Sequence, residues 1–312
     1  MISRLAAWSM RRPLHHTLIF HRVLQQSDPM NPAEPTADWF RDLIAMLARD
    51  FKPIALDEAL ARAEGAELRG GTVSVTFDDG YADNFSVALP ILREFRVPAT
   101  FFVASDFLNG GRMWNDSIIE TMRRLAPGTY DLGCADFAPF ELSDWPSRRH
   151  AAQTVITAWK HLAPEQRQAN VDALAARIEE LPRDLMLTNA QLRELATSEG
   201  VTIGGHTRSH PILASLDRDQ ARVEIAGGKY DLENILQQEI DLFAYPNGKH
   251  GRDFRDEHAK LVQGAGFTAA VATDWGTLSN TTDRYRIPRF TPWNPNLARF
   301  SIDLARCHYG LI

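Results

Sequence analysis

Short apolar runs alternate along this chain with longer segments whose apolar residues recur at helical spacing. Thr72–Phe77 is rich in β-branched and aromatic residues, and Ala99–Val103 is apolar almost throughout, so both are predicted to be buried strands. Ala37–Asp50 and Leu56–Glu64 carry apolar residues at the spacing of a helix face, which predicts amphipathic helices. Apolar strands separated by helices are typical of a parallel sheet covered on both faces, so we predict an α/β fold.

The same alternation continues as far as residue 290. Pro90 lies inside one predicted helix, so we expect a kink there or a second segment that starts near it. Asp83 stands directly before that helix and is a candidate to cap it. The further predicted elements are strand His16–Phe20, helix Asn84–Phe95, helix Thr188–Glu199, strand Val201–Gly204, helix Leu216–Gln238, strand Asp241–Ala244, helix Asp253–Gln263, strand Phe267–Thr273 and strand Ile287–Phe290.

Residues 109–187 interrupt this alternation. The stretch Asp131–Trp145 within them is irregular and aromatic, and we see no set of metal ligands or nucleophile in the segment. We expect a helical insertion packed on the rest of the fold; a lid over a long substrate is the alternative. The helical patterns of the insertion are Asp116–Leu125, Ser147–Leu162 and Pro164–Leu181.

The chain has 312 residues, of which 44% are hydrophobic and 24% charged, close to the average for globular proteins with a sizeable core. This length fits either two ordinary domains or one α/β barrel. We predict that residues 1–312 form a single barrel domain that carries the insertion. The formal net charge of −6 argues against a general nucleic-acid binder, whose surface is usually basic. Nothing in the sequence indicates an oligomeric state.

The N-terminal segment, residues 1–16, has only a short apolar run and lacks the apolar core and cleavage site of a signal peptide. No run of about 18 apolar residues is present, so no transmembrane segment is expected. We therefore expect a cytoplasmic protein, with a periplasmic or membrane-associated one as the alternative. The two cysteines, Cys134 and Cys307, are far apart and predict neither a disulfide framework nor a cysteine-rich zinc site.

Candidate polar side chains fall directly after the predicted strands. The carboxyl ends of parallel strands gather on one face of a closed barrel, and active sites are built there. Chance placement would scatter these residues along helices and loops, so we expect them to lie together at one end of the sheet. They are His21, Asp78, Asp79, His206, His210, Tyr245 and Asp274.

The pair Asp78 and Asp79 is the most informative of these. Adjacent carboxylates repel each other and are tolerable at a strand end when a metal ion or an arginine lies beside them. Asp-Asp-Gly can also be an ordinary exposed turn. His206 and His210 favour the metal, because a carboxylate and two histidines are a standard ligand set for catalytic Zn²⁺ with a position open for water. The sequence therefore predicts a divalent-metal site, with Zn²⁺ as the expected ion.

Two motifs carry a resemblance to a known family. TFDDG at residues 76–80 and HTRSH at residues 206–210 resemble the first and second motifs of the polysaccharide deacetylases, the NodB-homology or carbohydrate esterase 4 group. The second matches the form H-[ST]-x-x-H. The resemblance runs from about Leu18 to Phe290, apart from the insertion, and is closest in pattern to poly-N-acetylglucosamine deacetylases.

The resemblance implies a fold and a chemistry. The fold would be a distorted (β/α) barrel of about seven parallel strands. Asp79, His206 and His210 would bind the divalent metal, and Asp78 would be the general base that takes a proton from the attacking water. The reaction would remove N-acetyl groups from an N-acetylglucosamine-containing polysaccharide, such as an exopolysaccharide, or from its precursor. The expected partner is thus an N-acetylated glycan.

The chain departs from the family pattern at the general acid. The family usually supplies it from a late Leu-x-His motif, but Arg286–Phe290 has no histidine. Leu18–Val23 resembles the first strand of poly-N-acetylglucosamine deacetylases, whose histidine is proposed as the acid. We therefore predict His21 as the acid, with a locally packed strand-end histidine as the alternative; His250 and His258 are lesser candidates.

The third motif also departs from the pattern. Arg-x-Pro-Tyr is usual there, but this chain places Ala244 where the arginine would orient the base. Arg289 is the candidate for the missing charge. Tyr245 is the candidate to contact the substrate and to donate its backbone N–H to the oxyanion, although Tyr-Pro-Asn-Gly is also simply a good turn.

Asp274 and Trp275 resemble the fourth motif of the family. The resemblance implies that Trp275 walls the acetyl pocket and binds the substrate there. It also implies that Asp274 orients the acid or the arginine. An Asp-Trp pair at a strand end without either role is the alternative.

Two other functions stay open. The missing late histidine and the missing arginine are compatible with a catalytically weak or inactive barrel that only binds glycan, or that partners with export machinery. An O-acetyl esterase or an N-deformylase would keep the same metal site, because attack on any small acyl group uses the same parts.

Overall fold

A seven-stranded parallel sheet forms the centre of the computed structural model, which describes residues 2–132, 138–292 and 294–312. Cys134 and part of the predicted irregular stretch Asp131–Trp145 lie outside these residues. The strands are β1 (His15–Phe20), β2 (Lys52–Pro53), β3 (Thr72–Phe77), β4 (Ala99–Val103), β5 (Gly128–Tyr130), β6 (Phe140–Leu142), β7 (Val201–Gly205), β8 (Leu242–Ala244) and β9 (Ala269–Val271).

The helices between these strands follow the order that the sequence predicts, and two helices that it did not predict, the first and the last, lie near the two ends of the described chain. In chain order, the helices are α1 (Ile2–Ser9), α2 (Ala37–Asp50), α3 (Leu56–Glu64), α4 (Leu89–Phe95), α5 (Trp114–Arg124), α6 (Trp145–Trp159), α7 (Pro164–Ala175), α8 (Asn189–Ala196), α9 (Arg218–Leu236), α10 (Asp256–Gly264) and α11 (Leu297–His308). None of the helices in the described part of the chain is both long enough and apolar enough to span a bilayer.

The sheet has the strand order β1-β3-β4-β7-β8-β9, with β2 paired to β3, and all of these pairs are parallel. Single parallel bridges join Ile287 to Val271 and Phe290 to Leu18, so the segment 287–290 lies between β9 and β1. The sheet thereby curls round on itself, and the predicted distorted (β/α) barrel of about seven strands is confirmed.

The closing segment differs from the regular strand predicted for Ile287–Phe290. Pro288 has no N–H to donate to a ladder, so the segment makes isolated bridges. Two of its hydrogen bonds run from Ala272 N to Ile287 O and from Phe290 N to Thr17 O, at 2.8 and 2.7 Å. This segment closes the barrel between β9 and β1, and Arg289 lies within it.

The predicted break at Pro90 is confirmed. Residues 84–88 form a π-helical turn and α4 then begins at Leu89, with the proline in its first turn. Asp83, however, does not cap this helix with its side chain. Its carboxylate instead accepts hydrogen bonds from Arg22 Nε at 2.8 Å and from the amide of Val23 at 3.2 Å, which ties the loop after β1 to the end of β3.

The insertion, predicted over residues 109–187, is helical and has its own hydrophobic core, separate from the core between the sheet and the outer helices. One prediction within it is wrong in part. The stretch Asp131–Trp145 contains β6, which pairs antiparallel with β5 as a short hairpin. The assignment of the whole chain to a single domain stays a prediction. The residues of the insertion core include Ile118, Met122, Leu142, Val155, Trp159 and Val171.

Candidate active site

The end of β3 turns sharply and directs two carboxylates to different partners. Asp79 has φ +77° and Gly80 has φ +88°, both in the left-handed region. A Cβ on Gly80 would lie 2.9 Å from a methyl carbon of Val103, so the turn needs a glycine there. A non-glycine residue with positive φ is uncommon and typical of functional sites. The two aspartates are buried, at 2% and 6% exposure.

Asp78 forms a buried ion pair with Arg289. Two parallel hydrogen bonds of 2.7 Å join the guanidinium to the carboxylate, and Arg289 Nε also donates to Ala272 O at 2.9 Å. Burial acts to raise the pKa of Asp78, but the charges of Arg289 and His206 outweigh burial and hold that pKa below its ordinary value. Arg289 thus supplies a charge beside Asp78, as predicted from the presence of Ala244 at the position of the motif arginine.

Asp79 meets both histidines of the second motif. Its Oδ1 lies 3.3 Å from His206 Nε2 and 3.4 Å from His210 Nε2. The ligand atoms of the three residues all lie within 4.8 Å of one another. The structure therefore brings together, at the carboxyl ends of β3 and β7, three side chains that are distant in sequence.

The chemistry of this cluster fits a cation. His206 Nδ1 lies 2.7 Å from Ala244 O, which can only accept, so Nδ1 carries a proton and Nε2 is the ring nitrogen that faces Asp79. Among the residues that the structure describes, Asp79 Oδ1 is buried without a hydrogen-bond partner. A buried carboxylate and an imidazole nitrogen that face each other need a positive charge between them, which either a proton or a divalent metal can supply.

The charges of the cluster shift the pKa of each member. Burial acts to raise the pKa of Asp79, but His210 and His206 outweigh it and hold that pKa far below its ordinary value. For His206, burial opposes protonation, yet Asp78 and Asp79 raise its pKa. For His210, burial and repulsion from His206 outweigh Asp79 and lower the pKa to about 4. His210 is therefore neutral near pH 7, the form that binds a metal.

The HTRSH segment is a loop, as Pro211 predicts, with Thr207 and His210 at φ +65° and +53°. Glu224 of α9 accepts from the amides of Arg208 and Ser209 at 3.0 and 2.9 Å and holds the loop against the helix. A Cβ on Gly228 would lie 2.7 Å from the carbonyl carbon of Thr207. The glycine pair inside α9 thus lets the metal-site loop pack closely on that helix.

A cavity of about 610 Å³ opens above these groups. Asp78, Asp79, His206 and His210 line it. His21 lines it as well, with an exposed side chain. The predicted acid, base and metal ligands therefore share one cavity.

Trp275 also lines the cavity, with 44% of its surface exposed and its ring centroid 5.0 Å from that of Phe290. An exposed indole ring beside the cavity has the apolar face that packs against a sugar or an acetyl group. Its position agrees with the wall that the fourth motif implies.

The prediction for Tyr245 is wrong. Its backbone N–H donates to Val271 O at 3.2 Å, because β8 pairs with β9 at this point. Its hydroxyl donates to Tyr285 O at 3.0 Å and its ring stacks on Phe254, so the buried side chain contacts neither substrate nor oxyanion. The sequence does not reveal which backbone N–H groups pair within the sheet, so it could not show that the N–H of Tyr245 is already used.

Asn247 occupies the position that we predicted for Tyr245. Asn247 lines the cavity, and its backbone has φ +59°. Within the described residues, its backbone N–H has no backbone hydrogen-bond partner. A signal for it was present in the sequence. In the family motif Arg-x-Pro-Tyr the last residue follows the proline, and here Asn247 follows Pro246.

Asp274 does not orient Arg289 or His21 through its side chain. Its carboxylate accepts from the amide of His250 at 3.1 Å and lies 3.7 Å from Lys249 Nζ. Only its backbone carbonyl meets Arg289, from whose amide it accepts at 3.0 Å. The predicted positioning role is wrong, because the strand end turns the side chain toward the loop at residues 249–250.

The two lesser histidines are held away from the cavity. His250 Nε2 lies 2.8 Å from Asp256, and His258 Nδ1 accepts from the amide of Arg255 at 2.9 Å. The helical insertion, in contrast, supplies part of the cavity wall, and the sequence analysis had placed it near the substrate only in the alternative of a lid. Its lining residues are Met113, Trp114, Asn115, Ile156, Lys160 and Arg167.

The polar cluster lies at the carboxyl ends of the strands of a distorted barrel, the face on which barrel enzymes build their active sites. The family model for polysaccharide deacetylases matches residues 65–128 and 156–269. These stretches make up more than half of the chain, and the chain belongs to the polysaccharide deacetylase family.

Known proteins agree with this family. The chain is 21% identical over 217 residues to YxkH of Bacillus subtilis, itself assigned provisionally as a polysaccharide deacetylase; the match covers 70% of this chain and 50% of YxkH. The chain thus spans about half the length of this relative.

Two solved structures share the fold. One is the Streptococcus pyogenes deacetylase PplD in complex with acetate, with a TM-score of 0.61, 18% identity, and coverage of 95% of this chain and 98% of that one. The other is IcaB from Ammonifex degensii, with a TM-score of 0.58, 18% identity, and coverage of 92% and 97%.

Proposed function

We propose that this protein uses a divalent metal ion to hydrolyse N-acetyl groups of an N-acetylglucosamine-containing polysaccharide or of its precursor. The observation that carries the proposal is the buried pair of Asp78 and Arg289 directly beside the cluster of Asp79, His206 and His210, in one open cavity. The membership of the chain in the polysaccharide deacetylase family supports the acetyl group as the target.

Asp79, His206 and His210 would hold the metal, for which Zn²⁺ is the expected ion because a carboxylate and two imidazoles suit it. A divalent ion supplies Lewis acidity, which polarises an acyl carbonyl and makes water more acidic. The hydrogen bond from His206 Nδ1 to Ala244 O orients the imidazole, so that Nε2 is the nitrogen that would bind the metal.

Asp78 would act as the general base. Arg289 and His206 keep its pKa low, so the carboxylate is ionised near neutral pH. Each carboxylate oxygen has about two lone-pair sites. The guanidinium occupies one on each oxygen. The remaining sites can take the proton of the attacking water, while Arg289 fixes the direction from which the carboxylate approaches.

Two further groups complete the reaction. Asn247 lines the cavity, and its backbone N–H would donate to the oxyanion of the tetrahedral intermediate. His21 would protonate the leaving nitrogen, because an amide anion is far too basic to leave near neutral pH. Its exposed position beside Asp78 and Asp79 supports this role.

An elemental analysis combined with an acetate-release assay tests the proposal. We expect about one divalent ion per chain, acetate release from N-acetylated glycans, and loss of that release with a chelator. Asp78→Asn should lower kcat by about 10²- to 10⁴-fold, the usual contribution of a general base, and leave the metal content unchanged. Full activity of Asp78→Asn would remove Asp78 from the mechanism.

The same assay separates the alternatives. Acetylated and formylated esters and amides of one sugar, compared side by side, distinguish amide cleavage from O-deacetylation or deformylation. A barrel that only binds glycan would release nothing from any of them. The missing motif arginine was one reason for that alternative. Arg289 weakens it, because its guanidinium pairs with Asp78 although Ala244 stands at the motif position.

A further inference from the structure

The insertion places two cationic side chains in the wall of the active-site cavity. Lys160 directly follows α6 and Arg167 lies in α7, and both are half-buried. The cavity has no lining carboxylate other than Asp78 and Asp79 among the residues that the structure describes. The local charge of the cavity is thus opposite in sign to the net charge of −6 of the whole chain.

The other charged groups that line the cavity already have partners. Asp78 is paired with Arg289, and Asp79 faces the two histidines. Lys249 donates to Thr273 O at 2.8 Å. Arg252 makes two hydrogen bonds of 3.0 Å to the buried carboxylate of Asp253.

Lys160 and Arg167 differ from these groups. Within the described residues, neither has a carboxylate oxygen within 4.0 Å, although both line a cavity that opens to solvent. A half-buried cation without a counter-ion is unfavourable in the free protein and ready to pair with an anionic ligand.

Arg167 is also held in position. Its guanidinium lies 4.9 Å from the ring centroid of Trp114, which itself lines the cavity, and its Nη1 donates to Lys160 O at 3.3 Å. Burial lowers the pKa of Arg167 more than Glu165 raises it, as expected for a cation that lacks a close partner. Stacking on the indole leaves further N–H groups for a ligand, in the planar arrangement that matches a carboxylate or a phosphate.

We propose that the insertion is the specificity element of the enzyme and that Lys160 and Arg167 bind an anionic group, a carboxylate or a phosphate, of the acetylated glycan. This inference rests on the proposed function, because it concerns the cavity in which the acetyl group would be cleaved. The substrate would then be an acidic polysaccharide or a phosphate-bearing precursor, and a neutral N-acetylglucosamine chain would be a poorer one.

Three oligosaccharides of equal length test the inference by acetate release. The first is a neutral N-acetylglucosamine oligomer, the second alternates N-acetylglucosamine with glucuronic acid, and the third is the neutral oligomer with a phosphate at its reducing end. We expect kcat/KM for at least one anionic oligomer to exceed the neutral value about tenfold or more, and the advantage to shrink as salt is added. Equal or higher activity on the neutral oligomer would overturn the inference.

Variants then assign the preference to the two residues. Lys160→Met and Arg167→Gln should each lower kcat/KM for the anionic oligomer by about ten- to hundredfold, mainly through KM, and lower it much less for the neutral oligomer. Lys160→Arg should retain the preference. Lys260→Met on α10 and Arg222→Gln on α9 remove the same charges from exposed positions and serve as controls. An equal loss on neutral and anionic oligomers would indicate a structural role and contradict the proposal.

The outcome also separates this inference from the proposed function. Acetate release with no charge preference would leave the deacetylase proposal standing and refute the anion site. If none of the oligomers releases acetate, calorimetric binding of the same three oligomers decides. Tighter binding of an anionic oligomer that Lys160→Met abolishes supports the site, and equal binding of all three refutes it.

Discussion

The barrel rim and the helical insertion line the same cavity but are built in opposite ways. The rim means here the charged groups at the strand ends, Asp78, Asp79, His206 and Arg289. Members of this set lie up to 211 positions apart in the chain, are almost fully buried, and are paired with one another. The insertion has a separate apolar core and presents Lys160 and Arg167 to the cavity without a carboxylate partner among the described residues. Paired, buried charges give a fixed geometry for a reaction, whereas unpaired cations leave a place for the charge of a ligand.

The largest expected effect comes from removing the arginine of the rim. Arg289→Met leaves the carboxylate of Asp78 buried and uncompensated, which should lower the free energy of unfolding by about 3–5 kcal/mol. Urea unfolding at pH 7 measures this change. The double variant Asp78→Asn/Arg289→Met should recover much of the loss, because no buried charge is left alone. A single variant as stable as the parent would contradict the importance of the pair.

The contact between insertion and rim offers a test of intermediate size. Tyr81, just after β3, donates to the buried carboxylate of Asp116 in α5 at 3.0 Å. Burial raises the pKa of Asp116 from 3.8 to about 7. A raised folded pKa means that the stability is fully present below pH 3.8 and decreases as the pH rises toward about 7.

Asp116→Asn should therefore stabilise the protein above neutral pH. The amide oxygen can still accept from Tyr81, and the variant avoids the ionisation of a buried acid, so we expect a gain of roughly 2–4 kcal/mol at pH 8 that shrinks toward pH 4. Urea unfolding at both pH values measures it. Asp172→Asn on α7 removes an exposed charge from the same insertion and serves as the control. A gain that is the same at pH 4 and pH 8 would contradict the assignment.

The smallest expected effect is a loss of stability at neutral pH, in contrast to the gain expected for Asp116→Asn. Asp28, in the loop after β1, accepts two hydrogen bonds from Arg123 of α5 at 2.7 and 2.6 Å. Burial acts to raise the pKa of Asp28, but Arg123 and the amide of Met30 outweigh it and lower the pKa to about 2. A lowered folded pKa stabilises the protein above pH 3.8, and this contribution is lost as the pH falls through about 2.

Asp28→Asn should lower the free energy of unfolding at pH 7 by about 1 kcal/mol, a value reduced for solvent screening because the pair is partly exposed. The difference from the parent should fade between pH 4 and pH 2, and urea unfolding across this range measures it. Arg123→Gln should give at least the same loss at pH 7, because it also removes the pair of Arg123 with Glu120. A loss that persists unchanged at pH 2 would remove the ion pair as its cause.

The sequence predicts the rim far better than the insertion, and the reasons are physical. Asp79, His206 and His210 could be grouped because parallel strands bring their carboxyl ends to one face. Tyr245 could not be judged correctly, since the availability of its amide depends on the pairing of β8 with β9. Lys160 looks like any cation near the end of a surface helix, and only the packing of the insertion turns it toward the cavity.

Single bridges close the barrel between β9 and β1, and this closure places Arg289 against Asp78. Asp78, the proposed general base, thus acquires Arg289 as its counter-ion only once the first and last parts of the chain have met. An incompletely folded molecule with segment 287–290 undocked would hold Asp78 without Arg289. If the proposed function is right, such a molecule would lack activity even with Asp79, His206 and His210 assembled, so recovery of activity during refolding should coincide with docking of this segment.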